Sequence, residues 1–279
     1  MRKKLALATL VLSVGFSAAA CDIQAGDGGL SLGISQGKAT DTWTRSYTLA
    51  SGGTLELLNV NGRIDAEPAS GDTVELTGRR TAKGSSGEAA KELLGRIEMR
   101  EEVGEGRVRV EVRAPRMSGF SGHEVEWTVR VPSGVKVDLR TVNGGVKLTG
   151  LDADIVAKST NGGVSGRNIS AQVVEATAVN GGVDIDFSAQ LSADARVEIE
   201  SVNGAVAIGL HPASQATISA RAANGGVRVN DLDIQREAEA STRESRRRLQ
   251  GTMNGGGARV DLSTVNGGVR LSRSGSPTS

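Results

Sequence analysis

A twelve-residue unit centred on an Asn-Gly pair recurs seven times in this chain of 279 residues. The best preserved copies contain Val-Asn-Gly-Gly-Val, and from the second copy onward the asparagines are 18, 19, 23, 21 and 42 residues apart. A period near 20 residues with strand content is typical of a solenoid in which each repeat forms one coil, and the last interval then corresponds to two coils. The repeated asparagines are Asn61, Asn143, Asn161, Asn180, Asn203, Asn224 and Asn266.

Apolar and polar residues alternate on both sides of each Asn-Gly pair, which predicts two half-buried strands per unit. Asn-Gly between two strands normally indicates a hairpin. A two-residue hairpin would place Arg140 opposite Lys147 and Arg221 opposite Arg228, and such like-charged cross-strand pairs are destabilising. We therefore expect each Asn-Gly to turn a corner between two faces of the coil. Equivalent positions then stack between coils, with Glu200 beside Arg221 and the asparagine amides in a ladder.

The residue two places before each later asparagine is always small, which suits a side chain that points inward at a tight bend. Glycine supplies the close backbone approach that such corners need. The chain has only six aromatic residues, and a narrow core of Val, Ile, Leu and Ala would account for that scarcity. The small residues are Thr141, Ser159, Ala178, Ser201, Ala222 and Thr264.

Composition excludes several classes of protein. The 38 glycines and 5 prolines make up 43 of 279 residues, about 15%, below the roughly 25–30% that marks low-complexity disorder, and no Gly-X-Y period indicates collagen. Few aromatic residues also argue against a ligand pocket of the usual kind. Without residues 1–20 the chain has 30 Lys and Arg against 32 Asp and Glu, a net charge of −2. We expect no nucleic-acid partner, because this balance provides no attractive field for one.

The N-terminus predicts export. Residues 1–20 combine a basic start, a short apolar run and small residues at a cleavage site, as in a secretory signal peptide. Cys21 is the only cysteine and follows three alanines. This sequence resembles a bacterial lipobox, whose cysteine carries lipid, although Ala18 stands where leucine is preferred. Ala18-x-Ala20 also fits ordinary cleavage, which would leave a free terminal cysteine. Residues 21–45 are rich in Gly, Ser, Asp and Thr and predict a lipid-anchored flexible tether.

The repeats, together with the lead-in Val131-Pro132-Ser133-Gly134-Val135 and the Asn-Gly-Gly-Gly at 254–257, resemble the bacterial putative-adhesin family known as domain of unknown function 4097. The resemblance covers about residues 46–272. It implies an exported, toast-rack β-solenoid, all-β, with no catalytic residues that carry over.

Two segments depart from the repeat pattern. Residues 81–102 predict a short helix, Glu88 to Leu94, opened by a Ser85-x-x-Glu88 capping box. The charged segment 235–250 replaces an expected corner, and residues 273–279 predict a disordered tail.

Three Asp-x-Asp pairs place two carboxylates on one strand face, an arrangement that can hold calcium or act as an acid and base pair. Gly181-Gly182-Val183-Asp184 lacks a glycine of the calcium-binding nonapeptide, so we favour solvated strand faces. His123 and His211 lie far apart and lack partners at metal-ligand spacing. We therefore expect no metal, no cofactor and no catalytic residue. The pairs are Asp152/Asp154, Asp184/Asp186 and Asp231/Asp233.

Two further groups have an ordinary and a functional interpretation. Arg246, Arg247 and Arg248 could contact phospholipid headgroups or acidic glycans, but nearby glutamates favour a solvated loop. The aromatic residues Trp43, Tyr47 and Trp127 could cap the first coils or form a stacking site for sugar.

These observations predict a rod of about eleven coils, near 50 Å long at a strand spacing of roughly 4.8 Å. We expect a non-enzymatic cell-envelope lipoprotein, anchored through its N-terminal lipid, that presents its surface for adhesion or for binding an envelope protein or glycan. The family resemblance also implies a regulatory scaffold for an envelope-stress membrane partner. A polysaccharide-active β-helix enzyme is the third hypothesis.

Overall fold

The computed structural model describes residues 37–115, 122–236 and 246–275. Apolar and polar residues alternate in these ranges, and the chain accordingly forms 21 strands and one helix there. In chain order they are β1 Gly37–Thr48, β2 Thr54–Leu58, β3 Ile64–Pro68, β4 Thr73–Gly84, α1 Gly87–Gly95, β5 Glu98–Gly104, β6 Arg107–Arg113, β7 Gly122–Val131, β8 Lys136–Asn143, β9 Val146–Thr149, β10 Ile155–Asn161, β11 Val164–Ile169, β12 Val173–Asn180, β13 Val183–Phe187, β14 Arg196–Asn203, β15 Val206–Leu210, β16 Ala216–Asn224, β17 Val227–Asn230, β18 Gln235–Arg236, β19 Arg248–Met253, β20 Ala258–Asn266 and β21 Val269–Arg273.

The strands on the two sides of each Asn-Gly corner belong to different sheets. For example, β8 ends at Asn143 in an 11-stranded sheet, and β9 begins at Val146 in a 10-stranded sheet. The two sheets share one aliphatic core, and most neighbouring strands are parallel. The prediction of an all-β solenoid with coils of about 20 residues and Asn-Gly corners is therefore confirmed.

Equivalent positions of the repeat stack in register. Ile155 pairs with Val137 on one side and with Val174 on the other, and Val174 pairs in turn with Val197. All four side chains are buried. Because the side-chain period of a strand is two, this register turns every apolar row of the repeat toward the core and every polar row outward.

The coils do not stack in the order of the sequence. Strands β20 and β21 lie between the β14/β15 coil and the β16/β17 coil, so the 42-residue interval is not two consecutive coils. Glu200 consequently pairs with Ser263, and the predicted neighbour Arg221 lies one coil further on. The charged segment explains why the predicted order is wrong. It leads into β19, which pairs antiparallel with the outer edge of β16, and the chain then continues into β20 on the inner side of β16.

Eight coils contain one strand from each sheet in the described residues, and the prediction of eleven was too high. They stack in the order β6/β7, β2/β3, β8/β9, β10/β11, β12/β13, β14/β15, β20/β21 and β16/β17. The remaining strands extend the sheets at the ends: β1 and β4 beyond β7, β5 beyond β6, and β19 and β18 beyond β16. Ten strands at roughly 4.8 Å give a stack about 45 Å long.

Several predicted boundaries are corrected. Residues 37–45 belong to β1 and pair with β4 rather than forming part of the tether. The helix begins one residue earlier than expected, and its N-cap is Ser86, whose hydroxyl accepts a hydrogen bond from the Ala89 amide at 3.1 Å. Ser85 does not cap it. Residues 81–102 end β4, form α1 and begin β5, so they build the first end of the solenoid. Residues 248–250 belong to β19, and Arg273 ends β21.

The core is aliphatic along most of the stack, with Trp127 and Phe187 the two largest fully buried side chains. Trp127 lies in the first coil, where the sheets widen to include β1 and β4. Helix α1 has nine residues, and no helix of the described chain is long and apolar enough to cross a membrane.

Candidate binding surface

The seven repeated asparagines form a continuous row of hydrogen-bonded side chains along one corner of the solenoid, here called the asparagine ladder. From Asn143 onward, each Nδ2 donates to the Oδ1 of the neighbouring asparagine on the Asn61 side at 2.7 to 2.9 Å. The order in space is Asn61, Asn143, Asn161, Asn180, Asn203, Asn266 and Asn224. All but Asn61 are exposed, so the ladder forms part of the surface.

A second row of hydrogen bonds supports the corner from inside. The Ser159 hydroxyl donates to the Gly144 carbonyl of the preceding coil at 2.7 Å, and Ser201 donates to Gly181 at 2.9 Å. Thr141 and Thr264 make the same contact. These buried hydroxyls satisfy glycine carbonyls that the bend turns away from the sheet. The position therefore requires a small residue and favours a hydroxyl.

The first glycine of each pair lies against the backbone of the preceding coil. A Cβ added to Gly162 would be 2.1 Å from the Gly144 carbonyl oxygen, and one added to Gly181 would be 2.2 Å from the Gly162 oxygen. Real Cβ atoms do not approach that closely. The repeated glycine is therefore a steric requirement of coil stacking, and it brings the asparagine amides within hydrogen-bond distance of each other.

A row of exposed valines runs beside the asparagine ladder, and the sequence analysis did not identify it. Each valine directly precedes a ladder asparagine and is between 36% and 44% exposed. Alternation could have indicated it, because a buried residue two places before the asparagine makes its successor point outward. The valine row consists of Val60, Val142, Val179, Val202 and Val265, with Thr160 and Ala223 at the equivalent places of the other two coils.

A shallow groove of about 640 Å³ lies on the other side of the ladder. Its floor includes the second glycine of successive corners, Gly145, Gly163 and Gly182, and Ala205 continues the row. Arg63 and Asp184 are among the charged residues at its sides. The absence of side chains at the glycines leaves backbone accessible along the corner.

The ladder ends at His123 of β7. Asn61 Nδ2 lies 3.3 Å from His123 Nε2, within hydrogen-bond distance. Partial burial lowers the pKa of His123 and so favours the neutral ring. Asn59 replaces the usual small residue in this coil, and its Nδ2 donates to the Gly62 and Val125 carbonyls at 3.0 and 2.9 Å.

The first acidic pair serves the loops between coils. Asp152 accepts hydrogen bonds from the Ser133 hydroxyl and from the Gly134 amide, and Asp154 pairs with Lys136 at 2.7 Å. Partial burial raises the pKa of Asp152, but these two hydrogen bonds outweigh it and hold that pKa below its ordinary value.

In the other two acidic pairs, the two carboxyl groups share no partner. Asp184 accepts from Arg167 at 2.6 Å, whereas Asp186 accepts from the Gly275 amide at 3.3 Å. Asp231 and Asp233 lie exposed in the turn after β17. No group of three metal-ligating side chains occurs in residues 37–115, 122–236 and 246–275. The structure therefore does not bring the three pairs together.

The aromatic residues lie at the first end of the solenoid. The rings of Trp43 and Trp127 meet edge to face at 5.6 Å, and Arg45 lies over the Trp43 ring. The Tyr47 hydroxyl donates to Glu101 at 2.6 Å, and burial together with this contact raises the Tyr47 pKa. Trp127 is only 1% exposed, so it packs beneath the end strands and offers no stacking face for sugar.

The arginine run contributes backbone to the far end of the solenoid. The carbonyl of Arg247 accepts from the Ala222 amide at 2.8 Å, and that of Arg246 accepts from Val227 at 2.9 Å. Arg248 begins β19. His211 accepts from the Ala213 amide at 3.2 Å within a turn. The predicted signal peptide, Cys21, the predicted tether up to residue 36 and residues 276–279 of the predicted tail lie outside the described residues.

These features define a two-sheet, mainly parallel β-solenoid with an amide-lined corner. The chain is similar to the structure of a putative cell adhesion protein from Clostridium sporogenes, with 15% identity over 84% of this chain and 100% of that chain and a TM-score of 0.49. A putative adhesin from Bacteroides fragilis is similar at 12% identity over 83% and 97% of the two chains, with a TM-score of 0.40. No family model and no curated protein matches the chain, so membership of the putative-adhesin family stays a prediction.

Proposed function

We propose that this protein is a non-enzymatic component of the bacterial cell envelope that is held at a membrane by lipid on Cys21 and binds another envelope component through its solenoid. The observation that carries the proposal is the long corner surface. Seven coils repeat the same amide at one strand spacing, exposed in all but the Asn61 coil, which suits recognition over an extended surface and provides no concentrated reactive centre.

The charges of the described residues support binding without catalysis. Four of the six candidate carboxylates are held by arginine, lysine, hydroxyl or backbone groups, as in Asp154 with Lys136 and Asp184 with Arg167, whereas Asp231 and Asp233 lie exposed. An acid and base pair of a glycosidase requires two carboxyl groups that face one substrate bond. If the protein is instead such an enzyme, the double substitution Asp184→Asn and Asp186→Asn abolishes a measurable glycan-cleaving activity of the wild type.

Binding is tested with the full-length Cys21→Ala variant, because this variant cannot acquire lipid and so reports only on the folded surface. It is incubated with envelopes from a strain that lacks the gene, and bound protein is measured after sedimentation. We expect saturable binding above that of an inert protein of similar size. Binding no greater than that control overturns the proposed function.

Anchoring is tested separately by growing cells with labelled palmitate. The wild-type protein should incorporate label and fractionate with membranes, whereas Cys21→Ala should do neither. Incorporation that persists in Cys21→Ala excludes lipidation at this residue.

A further inference from the structure

The valine row is an unusual concentration of exposed apolar surface. Seven large apolar side chains are exposed in the described residues, and five of them lie in this row. The other two lie apart from it: Val103 is near the end of β5, and Val173 begins β12, at the opposite end of that strand from Val179. Scattered exposed valines need no explanation, but five of them in one row, interrupted by Thr160 and ended by Ala223, indicate a contact surface.

The asparagine ladder adds polar groups along the whole length of this line. An interior amide such as Asn180 uses one N–H toward Asn161 and accepts one hydrogen bond from Asn203. Its second N–H and a remaining oxygen lone pair are free to meet solvent or a ligand. The ladder thus offers hydrogen-bond donors and acceptors in alternation, and it carries no formal charge.

Four charged side chains lie beside the valine row; two of them are paired within the protein, and the other two, Glu200 and Arg221, are of opposite sign. Arg140 pairs with Asp138 at 2.7 Å, and Lys158 pairs with Glu175 at 2.5 Å. These pairs lie on the strands that end at the corner, so little net field surrounds the valine row. A charged ligand would gain little there, whereas an uncharged one has no charge to desolvate.

The dimensions favour a linear ligand over a second copy of the chain. Seven stacked positions span six intervals of roughly 4.8 Å, about 29 Å. Two adjacent residues, at about 3.3 Å each, make a strip about 7 Å wide, hence an area of about 200 Å², whereas a stable protein dimer buries about 800 Å² on each partner.

We propose that the edge formed by the valine row and the asparagine ladder binds an uncharged, linear polysaccharide that lies along the solenoid axis. The C–H face of a pyranose ring packs on the valines, and ring hydroxyl groups exchange hydrogen bonds with the asparagine amides. The corner offers one such set of contacts per coil, at the strand spacing of roughly 4.8 Å. This inference rests on the proposed function and names its ligand class.

The test compares two variants in the full-length Cys21→Ala background. Val202→Lys with Val265→Lys places two charges in adjacent coils of the row, since β14 and β20 are neighbours. Val173→Lys is the matched control, because Val173 is 39% exposed, similar to the 40% of Val202, but lies at the opposite end of its strand. Thermal unfolding first establishes that both variants are folded.

The binding target is the glycan that remains after envelopes are extracted with detergent and digested with proteinase. We expect the double variant to bind this glycan at least tenfold more weakly than the parent, and Val173→Lys to bind within twofold. Binding by the parent should be nearly independent of salt concentration, because the ligand is uncharged.

Three results overturn the inference while the proposed function stands: binding to whole envelopes but not to the residual glycan, equal binding by the double variant and its control, or a steep loss of binding with added salt. The first identifies a protein or lipid partner, the second a different surface, and the third a charged ligand. Absence of binding to whole envelopes overturns the proposed function itself.

Discussion

The direction of the asparagine ladder predicts that the same substitution destabilises the protein unequally at two positions. Every Nδ2 donates toward the Asn61 end, so an interior asparagine needs both its N–H and its oxygen. In Asn180→Asp, a carboxylate oxygen still accepts from Asn203 but faces the Asn161 Oδ1, which is 2.8 Å from the amide nitrogen that it replaces. We expect the variant to lose one hydrogen bond and to gain a repulsive contact.

The loss is calculable from these contacts. A hydrogen bond contributes about 0.5–1.5 kcal/mol, and two facing acceptors add a similar cost, so the free energy of unfolding should fall by about 1–2 kcal/mol at neutral pH. For a domain of this size, 1 kcal/mol corresponds to about 2–4 °C in Tm. Thermal unfolding followed by circular dichroism should therefore show a decrease of about 2–8 °C.

The sign of the pH dependence distinguishes this cause from general disruption. Protonation of the carboxyl introduced by Asn180→Asp would restore both hydrogen bonds, so the folded state raises the pKa of this new carboxyl above its unfolded value. The destabilisation is complete above the folded pKa and decreases as the pH falls through it. Asn180→Ala has no such group, and its deficit should not change between neutral and mildly acidic pH.

Asn61→Asp is the matched control, because Asn61 accepts from Asn143 at 2.7 Å and donates within the ladder to no asparagine. It loses only the contact with His123, and we expect its Tm to change by less than half as much. Equal losses at both positions would refute a directional ladder, and an unchanged Tm in Asn180→Asp would refute any contribution to stability.

Three further predictions concern the corner and the loops. Ala178→Ser supplies a hydroxyl where neighbouring coils have one and should raise the free energy of unfolding by up to about 1 kcal/mol, whereas Ser201→Ala should lower it by about 1–2 kcal/mol in urea unfolding. Gly181→Ala forces a Cβ against a carbonyl oxygen and should prevent soluble folding. Gly71→Ala, which has open space around it, should express like the wild type. Equal soluble yields of the two variants would contradict the steric argument. Because the pKa of Asp152 is lowered by folding, its carboxylate stabilises the fold above the unfolded pKa, and this stabilisation is lost as the pH falls through the folded pKa. Asp152→Asn should therefore lose less stability than the wild type over this pH range in acid unfolding. An acid unfolding curve identical to that of the wild type would exclude a contribution from Asp152.

Much of the solenoid was predictable from the sequence, because one physical rule recurs in every copy. Alternation fixes which residues face the core, and the like charges of Arg140 and Lys147 exclude the hairpin that Asn-Gly normally favours. The corner then requires a small inward residue, and the structure buries Thr141 and Ser201 at that place. The hydroxyl contacts with glycine carbonyls were not predictable, since they depend on the offset between coils.

The stacking order was not predictable, because similar repeats can exchange places at little local cost. The copy at Val260 fits between β14 and β16 or beyond β16 equally well by pattern, and only β19, which occupies the outer edge of β16, decides between these places. The valine row was overlooked for a different reason. Strand propensity alone accounts for a valine beside asparagine in a β-rich repeat. Its exposure depends on the face of the sheet on which its side chain lies at the end of the strand.

The stack of coils cannot be completed until β20 and β21, the last strands of the chain in the described residues, are in place. These strands lie between coils that are synthesised earlier, so fraying of the β16/β17 coil opens an internal loop and releases no chain end. A loop held at both ends gains less conformational entropy than a free terminus, which opposes unravelling from that side. The same arrangement delays closure until residues 258–273 have been synthesised, so loss of this segment leaves both β14 and β16 with an open edge.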